Sequence, residues 1–178
     1  MAAIPTLSTE RLTLRPWQPS DLDGYATMGS GADTVRYLGA GTVRSRAETA
    51  ELIDGYIAEW SRCGHGRWAV ELRGSREFVG YCGLLEWMEG TPEATGEVVY
   101  GFSRPHWGRG LASEAARAAV RWGFANFDWQ KIVGLTHPDN IASQRVLAKL
   151  GMTFAGEWDG PHHRMKAFEV PRERFLVS

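Results

Sequence analysis

The fold is decided by one stretch, Arg104-Pro105-His106-Trp107-Gly108-Arg109-Gly110-Leu111-Ala112-Ser113-Glu114-Ala115. A run with strand character ends just before it, two glycines follow, and an Ala-rich helical run begins at Leu111. The N–H groups in the first turn of a helix lack internal acceptors and carry partial positive charge. Glycines let the backbone approach an anion closely, so residues 108–112 predict a phosphate cradle, with Arg104 and Arg109 adding charge. Taken alone, an ordinary glycine-rich turn entering a helix explains these residues equally well.

The residues before this stretch predict a strand, two helices and a three-stranded meander. Ser20 is a candidate N-cap for the first helix, and residues 29–41 are predicted as a loop. Ser45 and Glu48 have capping-box spacing for the second helix, and Gly64 ends it. The predicted strands are residues 11–15, 68–72, 78–85 and 97–102.

The residues after it alternate between helices and strands. A helix is predicted over residues 111–127, with Glu114, Arg117 and Arg121 on a solvated stripe, and a buried strand over 131–136. A helix over 141–150, capped by Asn140, and closing strands at 154–158 and 165–170 complete the chain. A meander followed by such units predicts an α/β (α+β) fold, a mixed sheet with helices on both faces. Since no repeat or linker interrupts the pattern, we expect a single domain over residues 1–178.

Composition excludes several classes of protein. The chain has 178 residues, 20 basic and 21 acidic, and a net charge of -1, which argues against a nucleic-acid-binding protein. No apolar run approaches the ~20 residues that span a bilayer, and residues 1–10 show no signal peptide, so we expect no membrane association. Cys63 and Cys82 have neither metal-ligand nor disulfide spacing. A reducing, cytoplasmic location is the expectation.

A second motif lies in the last helix, at Asn140-Ile141-Ala142-Ser143-Gln144-Arg145-Val146-Leu147-Ala148-Lys149-Leu150-Gly151-Met152. On physical grounds alone it is a capped amphipathic helix with a glycine stop. In combination, the two motifs resemble the GNAT superfamily of N-acetyltransferases, most closely the branch that acetylates the N-terminal residue of ribosomal proteins. The family's first signature is Arg/Gln-x-x-Gly-x-Gly/Ala, and Trp107 departs from its first position. The opening strand and residues 97–100 also look like this branch.

The resemblance implies a mostly antiparallel, seven-stranded sheet in which a central pair of parallel strands splays apart. Acetyl-CoA, the implied co-substrate, would lie in the gap between residues 97–102 and 131–136. Its pantetheine arm would pair with backbone near Phe102, and its pyrophosphate would lie on Gly108, Arg109, Gly110, Leu111 and Ala112. Asn140 would contact the pantetheine or the thioester end. No metal is implied.

The implied reaction is direct attack of a primary amine on the thioester in a ternary complex. Glu97 is the candidate base, and a carboxylate that faces solvent or pairs with arginine is the alternative interpretation. Ser143 is the candidate acid for the leaving sulfur, and a first-turn serine bonded to backbone is the alternative. Glu157, Asp139 and His137 are reserve bases.

Other features have weaker functional interpretations. The adjacent His162 and His163 are more typical of an exposed turn than of a metal site. Cys82 is expected to be a small buried residue rather than a nucleophile. Five tryptophans are candidates for lining an acceptor pocket: Trp17, Trp60, Trp68, Trp87 and Trp158.

Three functions compete at this level. The first is an N-acetyltransferase acting on a protein N-terminal α-amine or a small-molecule amine, with a homodimer common in the family. The second is a non-catalytic acyl-CoA-binding sensor or structural subunit of the same fold, in which Glu97 and Ser143 would be dispensable. The third is a Rossmann-type nucleotide binder, which is disfavoured because a β-meander precedes the glycines and no acidic residue follows at the required spacing.

Overall fold

A computed structural model describes residues 3–37, 41–88, 91, 93–160 and 164–177, except for the side chains of residues 32 and 33. Within these residues, eight strands form one sheet in the order β1-β2-β3-β4-β5-β6-β8-β7. Their bounds are β1 Leu7–Ser8, β2 Leu12–Arg15, β3 Arg67–Leu72, β4 Phe78–Trp87, β5 Thr95–Phe102, β6 Lys131–Thr136, β7 Thr153–Asp159 and β8 Arg164–Pro171.

The helices of the described residues are α1 Asp21–Ser30, α2 Ala32–Val35, α3 Arg46–Cys63, α4 Leu111–Asn126, α5 Ile141–Lys149 and α6 Arg172–Leu176. Three local signals are confirmed. Ser45 and Glu48 form a capping box, Gly64 ends α3 in the left-handed conformation, and the Asn140 side chain caps α5. Among the helices described, none is both long and apolar enough to cross a bilayer.

The sheet is antiparallel except where β5 and β6 run side by side. That parallel pair is in register only at Gly96 with Ile132 and at Glu97 with Val133. Both strands continue beyond this point, β5 to Phe102 and β6 to Thr136, without pairing to each other. The splayed central pair is therefore confirmed, and the gap opens immediately after Glu97.

Helices cover both faces of the sheet, as predicted, and each face has its own apolar cluster. Trp68 and Val70 of β3 face α4 and α5, in a cluster with members such as Phe124 and Leu147. Ala69, between them, faces α1 and α3 in a second cluster with Tyr25. This alternation follows from the period of two in a strand, and burying both faces is the main stabilising contribution to the fold.

Three features differ from the sequence interpretation. The sheet has eight strands rather than seven, because Leu7 and Ser8 pair with the end of β2 in a strand too short to show periodicity. Part of the loop predicted at residues 29–41 is helical, as α2. Ser20 makes no side-chain cap, since its own backbone is already helical, whereas the Asp21 carboxylate accepts a hydrogen bond from the Gln18 N–H at 2.8 Å.

Candidate active site

The glycine turn between β5 and α4 leaves several N–H groups without acceptors. Gly108 and Gly110 have φ of 73° and 79°, a conformation that favours glycine. The first hydrogen bond of α4 runs from the Glu114 N–H to the Gly110 carbonyl at 3.1 Å, so residues 111–113 have no intrahelical acceptor. A Cβ added to Gly108 would meet no atom within 4 Å. Open space beside unpaired N–H groups fits a pyrophosphate.

Trp107 anchors this turn to the end of β5. Its indole N–H donates to the Phe102 carbonyl at 2.6 Å, and the Arg104 guanidinium lies 4.7 Å above its ring. The departure at the first signature position therefore has a structural role here. The Phe102 side chain is buried and its carbonyl already accepts from Trp107, so a ligand would meet the remaining backbone around Phe102; the Leu111 side chain is buried as well.

Glu114 connects the first turn of α4 to the residues just before β2. Its carboxylate accepts hydrogen bonds from the Thr9 hydroxyl at 2.6 Å, the Arg11 N–H at 2.8 Å and the Arg11 Nε at 2.7 Å. Arg11 in turn donates to the Arg109 carbonyl at 3.0 Å. The expected solvated stripe is therefore wrong at Glu114, because β2 begins directly beside the first turn of α4. Arg117 is half-buried and donates to the Lys149 carbonyl at 2.6 Å, and Arg121 is exposed, as expected.

We expect Glu114→Gln to lower the free energy of unfolding at pH 7 by about 1–3 kcal/mol, since it weakens charge-assisted hydrogen bonds. Hydrogen bonds from Thr9 and Arg11 outweigh the effect of burial and lower the pKa of Glu114. Because the pKa is lower in the folded chain, the carboxylate stabilises the fold at pH values above its pKa in the unfolded chain. This stabilisation is lost as the pH falls through its pKa in the folded chain. Denaturant unfolding should therefore show the two proteins converging in acid. Glu51→Gln, on the exposed side of α3, is the control and should change nothing at either pH.

Glu97 is the last residue of β5 that pairs with β6, so its carboxyl group lies where the gap opens. Burial raises its pKa to about 7, and the nearby charge of Arg67 opposes this rise. Leu85 of β4 lies directly opposite it. Strand alternation places Glu97 on the sheet face covered by α1 and α3. A carboxyl group with this pKa is suited to exchanging protons near neutral pH.

Tyr100 and Ser143 meet on the other face of β5. The Tyr100 hydroxyl lies 2.9 Å from the Ser143 Oγ and donates to the Ser143 carbonyl at 3.2 Å. The Ser143 N–H donates to the Asn140 Oδ1 at 3.0 Å, so the hydroxyl takes no part in capping α5. Sequence reasoning missed Tyr100. The alternation of β5 is the signal that could have placed Tyr100 on the face opposite Glu97, towards α5.

Each of the reserve candidates has a partner within the chain. Glu157, on β7, pairs with Arg164 at 3.0 Å and is separated from β6 by β8. Asp139 is exposed and lies 3.8 Å from the His137 ring nitrogen. Cys82 is fully buried, and burial raises the pKa of its thiol, as expected for a residue that is not a nucleophile.

In the part of the chain that the structure describes, no group of three or more His, Cys, Asp or Glu side chains is arranged so that it could hold a metal ion. The adjacent His162 and His163 lie outside the described residues.

The five tryptophans separate into three groups. Trp60 and Trp68 belong to the apolar cluster beneath α4, and Trp17 packs among the aromatic rings beneath α1 and α3. Trp87 and Trp158 lie with ring centroids 6.4 Å apart. Trp87 is two residues along β4 from the partner of Glu97, so it lies on the face of Glu97. These two are the tryptophans best placed to line an acceptor cleft.

Comparison with known proteins agrees with this geometry. Residues 11–153 match the model of the acetyltransferase (GNAT) domain family. The uncharacterized N-acetyltransferase YoaA of Bacillus subtilis is 29% identical over 85% of each chain. Spermidine N(1)-acetyltransferase of Escherichia coli is 26% identical over 84% of this chain and 77% of its own. The structure of RimL, a ribosomal L7/L12 α-N-protein acetyltransferase in complex with coenzyme A, superimposes with a TM-score of 0.79 at 18% identity, covering 96% of this chain and 98% of RimL. The chain therefore belongs to the GNAT acetyltransferase family and is an acetyl-CoA-dependent N-acetyltransferase.

Proposed function

We propose that the enzyme acetylates a primary amine by direct attack in a ternary complex, with Glu97 as base and Ser143 as acid. The observation that carries the proposal is the gap between β5 and β6. Glu97 lies on one face of β5 at the opening of this gap, and the Tyr100–Ser143 pair lies on the other. A reacting group held in this gap would have Glu97 on one side and Ser143 on the other.

The chain offers groups suited to each part of acetyl-CoA, which supplies an activated acyl thioester. The N–H groups of residues 108–112 would hold the pyrophosphate, with Arg104 and Arg109 adding charge. Unpaired backbone of β5 near Phe102 would bind the pantetheine arm like an added strand. The Asn140 oxygen is used in capping α5, which leaves its amide NH₂ to donate towards the ligand.

Glu97 would accept the proton that the amine must lose. With a pKa of about 7, this carboxyl group is partly ionised at neutral pH. An α-amine has a pKa near ~8 and a lysine amine near ~10.4, so the proton moves to Glu97 at a cost of about 1.4 kcal/mol from the former and more than 4 kcal/mol from the latter. This difference favours an α-amine, such as a protein N-terminus, over a lysine-like amine. Small-molecule amines of similarly low pKa fit as well.

Ser143 would supply a proton to the departing sulfur, and Tyr100 would hold its hydroxyl in position. Tyr100→Phe removes the hydroxyl that meets the Ser143 Oγ at 2.9 Å, and Ser143→Ala removes the other partner. We expect each to lower kcat by about 10- to 100-fold, at the modest end of acid–base effects because water can substitute, while acetyl-CoA affinity is kept. The double variant should be no slower than the worse single variant, because both act through one hydrogen bond.

The experiment that tests the proposal measures thiol release from acetyl-CoA with a panel of peptides and small amines. Amine-dependent release is expected. A protein that binds acetyl-CoA tightly but releases no thiol with any amine would instead be the non-catalytic acyl-CoA-binding subunit of the same fold. If Ser143→Ala released thiol from acetyl-CoA at the parent rate, the proposed role of Ser143 would be contradicted. The homodimer and the cytoplasmic location stay predictions.

A further inference from the structure

Arg67, the first residue of β3, is held in place through both its side chain and its backbone. The guanidinium donates to both carboxylate oxygens of Glu59 in α3, at 2.7 and 3.0 Å, and its central carbon lies 4.5 Å from the centre of the Tyr56 phenol ring. Its carbonyl accepts hydrogen bonds from the indole N–H groups of Trp17 and Trp60, at 3.1 and 3.0 Å. The side chains of Arg67 and Glu59 are each 18% exposed. These contacts fix the guanidinium more closely than those of a typical surface arginine.

The register of the sheet places Arg67 on the face of Glu97. Arg67 pairs with Gly83 of β4, and Gly83 pairs with Val99 of β5, two residues after Glu97. Residues that lie opposite each other, or two apart along a strand, share one face, so both side chains project towards α1 and α3. An added Cβ at Gly83 would lie 2.4 Å from the Gly66 carbonyl oxygen. At this position of the register, no side chain of β4 separates Arg67 from β5.

Arg67 is close enough to Glu97 to act on it, but the two do not form an ion pair. Two strand separations and a step of two residues put their Cα atoms about 12 Å apart, which two long side chains together can span. Burial raises the pKa of Glu97, and the charge of Arg67 opposes that rise. In the described part of the chain, the ion pair of Arg67 is with Glu59, and Glu97 has none. Glu59 therefore competes with Glu97 for the guanidinium.

The other charged pairs on this face lie to either side. Lys131 of β6 and Glu169 of β8 form an ion pair at 2.7 Å. Arg15 of β2 binds Asp21 of α1 at 2.8 Å and Glu71 of β3 at 2.7 Å. Because each of these cations has a carboxylate directly beside it, its effect at a longer distance is largely cancelled.

The remaining titratable groups of this face are buried phenols, together with one further arginine. Burial raises the pKa of Tyr25 in α1 and of Tyr81 in β4, so both are neutral near pH 7. Arg44, in the segment before α3, opposes both rises. Among the described residues, the charge that acts on Glu97 is that of Arg67.

We propose that Glu59 is a positioning residue for acetyl transfer, because it keeps the Arg67 guanidinium on the α3 side and so prevents an ion pair between Arg67 and Glu97. The inference rests on the proposed role of Glu97 as base and adds the group that maintains it. An ion pair with arginine lowers the pKa of a carboxyl group by about 1–3, which would make Glu97 a weaker base. Loss of the arginine would let burial raise the pKa further and leave Glu97 protonated at neutral pH. The Glu59–Arg67 pair keeps Glu97 between these two states.

The pH dependence of kcat in three variants tests the proposal. Glu59→Gln keeps the shape of the side chain and removes the charge that binds Arg67, so the freed guanidinium should bind Glu97. We expect the midpoint of the rise in kcat, about 7 in the parent, to fall by about one pH unit or more. Arg67→Met removes the cation and should raise the midpoint by about one pH unit. The double variant should have the raised midpoint of Arg67→Met, because Glu59 acts only through Arg67.

Glu71→Gln is the matched control. It also removes a buried carboxylate that binds an arginine, and it lies on β3, four residues after Arg67. It should leave the midpoint at the parent value. Every variant is assayed at a temperature where denaturant unfolding shows it to be folded over the whole pH range. A midpoint does not depend on the amount of active enzyme, so a partial loss of stability cannot imitate the shift.

Two results would overturn the inference and leave Glu97 as the base: an unchanged or raised midpoint in Glu59→Gln, or a lowered midpoint in the double variant. The same fall in Glu71→Gln would also contradict it, because any lost negative charge on this face would then have the effect. If kcat still rose with pH in Glu97→Gln, with a midpoint near 7, the base would be another group. The proposed role of Glu97 and this inference would then fail together.

Discussion

Glu97→Gln should lower kcat by about 10²- to 10⁴-fold, the range typical of losing a general base. The substitution keeps the shape of the side chain and removes its ability to accept a proton. In the parent, kcat should rise with pH and level off above about 7, because burial raises the pKa of Glu97 to that value. The variant should lose this rise. Acetyl-CoA affinity should be nearly unchanged.

The pH dependence of unfolding distinguishes a catalytic role of Glu97 from a structural one. The pKa of Glu97 is higher in the folded chain than its ordinary value of 4.5, so folding favours the protonated form. The associated stability is fully present below the unfolded pKa and is lost as pH rises through about 7. Glutamine is always neutral, so Glu97→Gln should unfold with a free energy up to about 3 kcal/mol higher than the parent at pH 8. The two should be equal near pH 4.

Glu86→Gln, an exposed carboxylate on β4 next to the partner of Glu97, is the matched control. It should change neither kcat nor the pH dependence of unfolding. If Glu97→Gln turned over at the parent rate, or if it lost activity only because it unfolded more easily at pH 8, Glu97 would not be the base.

Gly108→Val should weaken acetyl-CoA binding by at least tenfold, since the new side chain occupies the space in front of the unpaired N–H groups. Gly64→Val is a close match for the backbone cost. The two glycines have φ of 73° and 72°, and an added Cβ meets no atom within 4 Å at either position. Both variants should lose about 1–2 kcal/mol of unfolding free energy from the left-handed conformation.

Only the variant in the glycine turn should alter the dissociation constant of acetyl-CoA, measured by calorimetric titration at a temperature where both variants are folded. If both variants bound acetyl-CoA as tightly as the parent, the turn at residues 107–110 would not contact the pyrophosphate. If both variants bound acetyl-CoA more weakly by the same factor, lost stability rather than the filled space would be the cause.

Local structure was predictable wherever the signal lies within a few residues. The Ser45–Glu48 capping box and the Asn140 cap depend on contacts over three residues, and both form as expected. The mostly antiparallel sheet and its splayed parallel pair followed from a family resemblance in two motifs, not from propensity, and the order of the strands in the sheet was not predicted. The short pairing of Leu7 and Ser8 with β2 carries no periodic signal and was missed.

The site could be predicted only in part, because its contacts are long-range. Glu114 looked like a solvated helix residue, since nothing nearby in sequence shows that Thr9 and Arg11 bind it. The Tyr100–Ser143 hydrogen bond joins residues 43 positions apart. The pKa of Glu97 depends on burial, which is a property of the packed sheet. Residue types and motif spacing locate such a site, whereas its charges and hydrogen bonds require the fold.

Thermal unfolding with increasing acetyl-CoA is the measurement to make first, with adenine nucleotides and NAD as controls. A ligand at 100 times its dissociation constant should stabilise the fold by about 2.7 kcal/mol, which is a shift of several degrees for a domain of this size. We predict that shift with acetyl-CoA, a much smaller one with adenine nucleotides, and none with NAD. No shift with acetyl-CoA, or an equal shift with NAD, would contradict acetyl-CoA binding in the gap between β5 and β6.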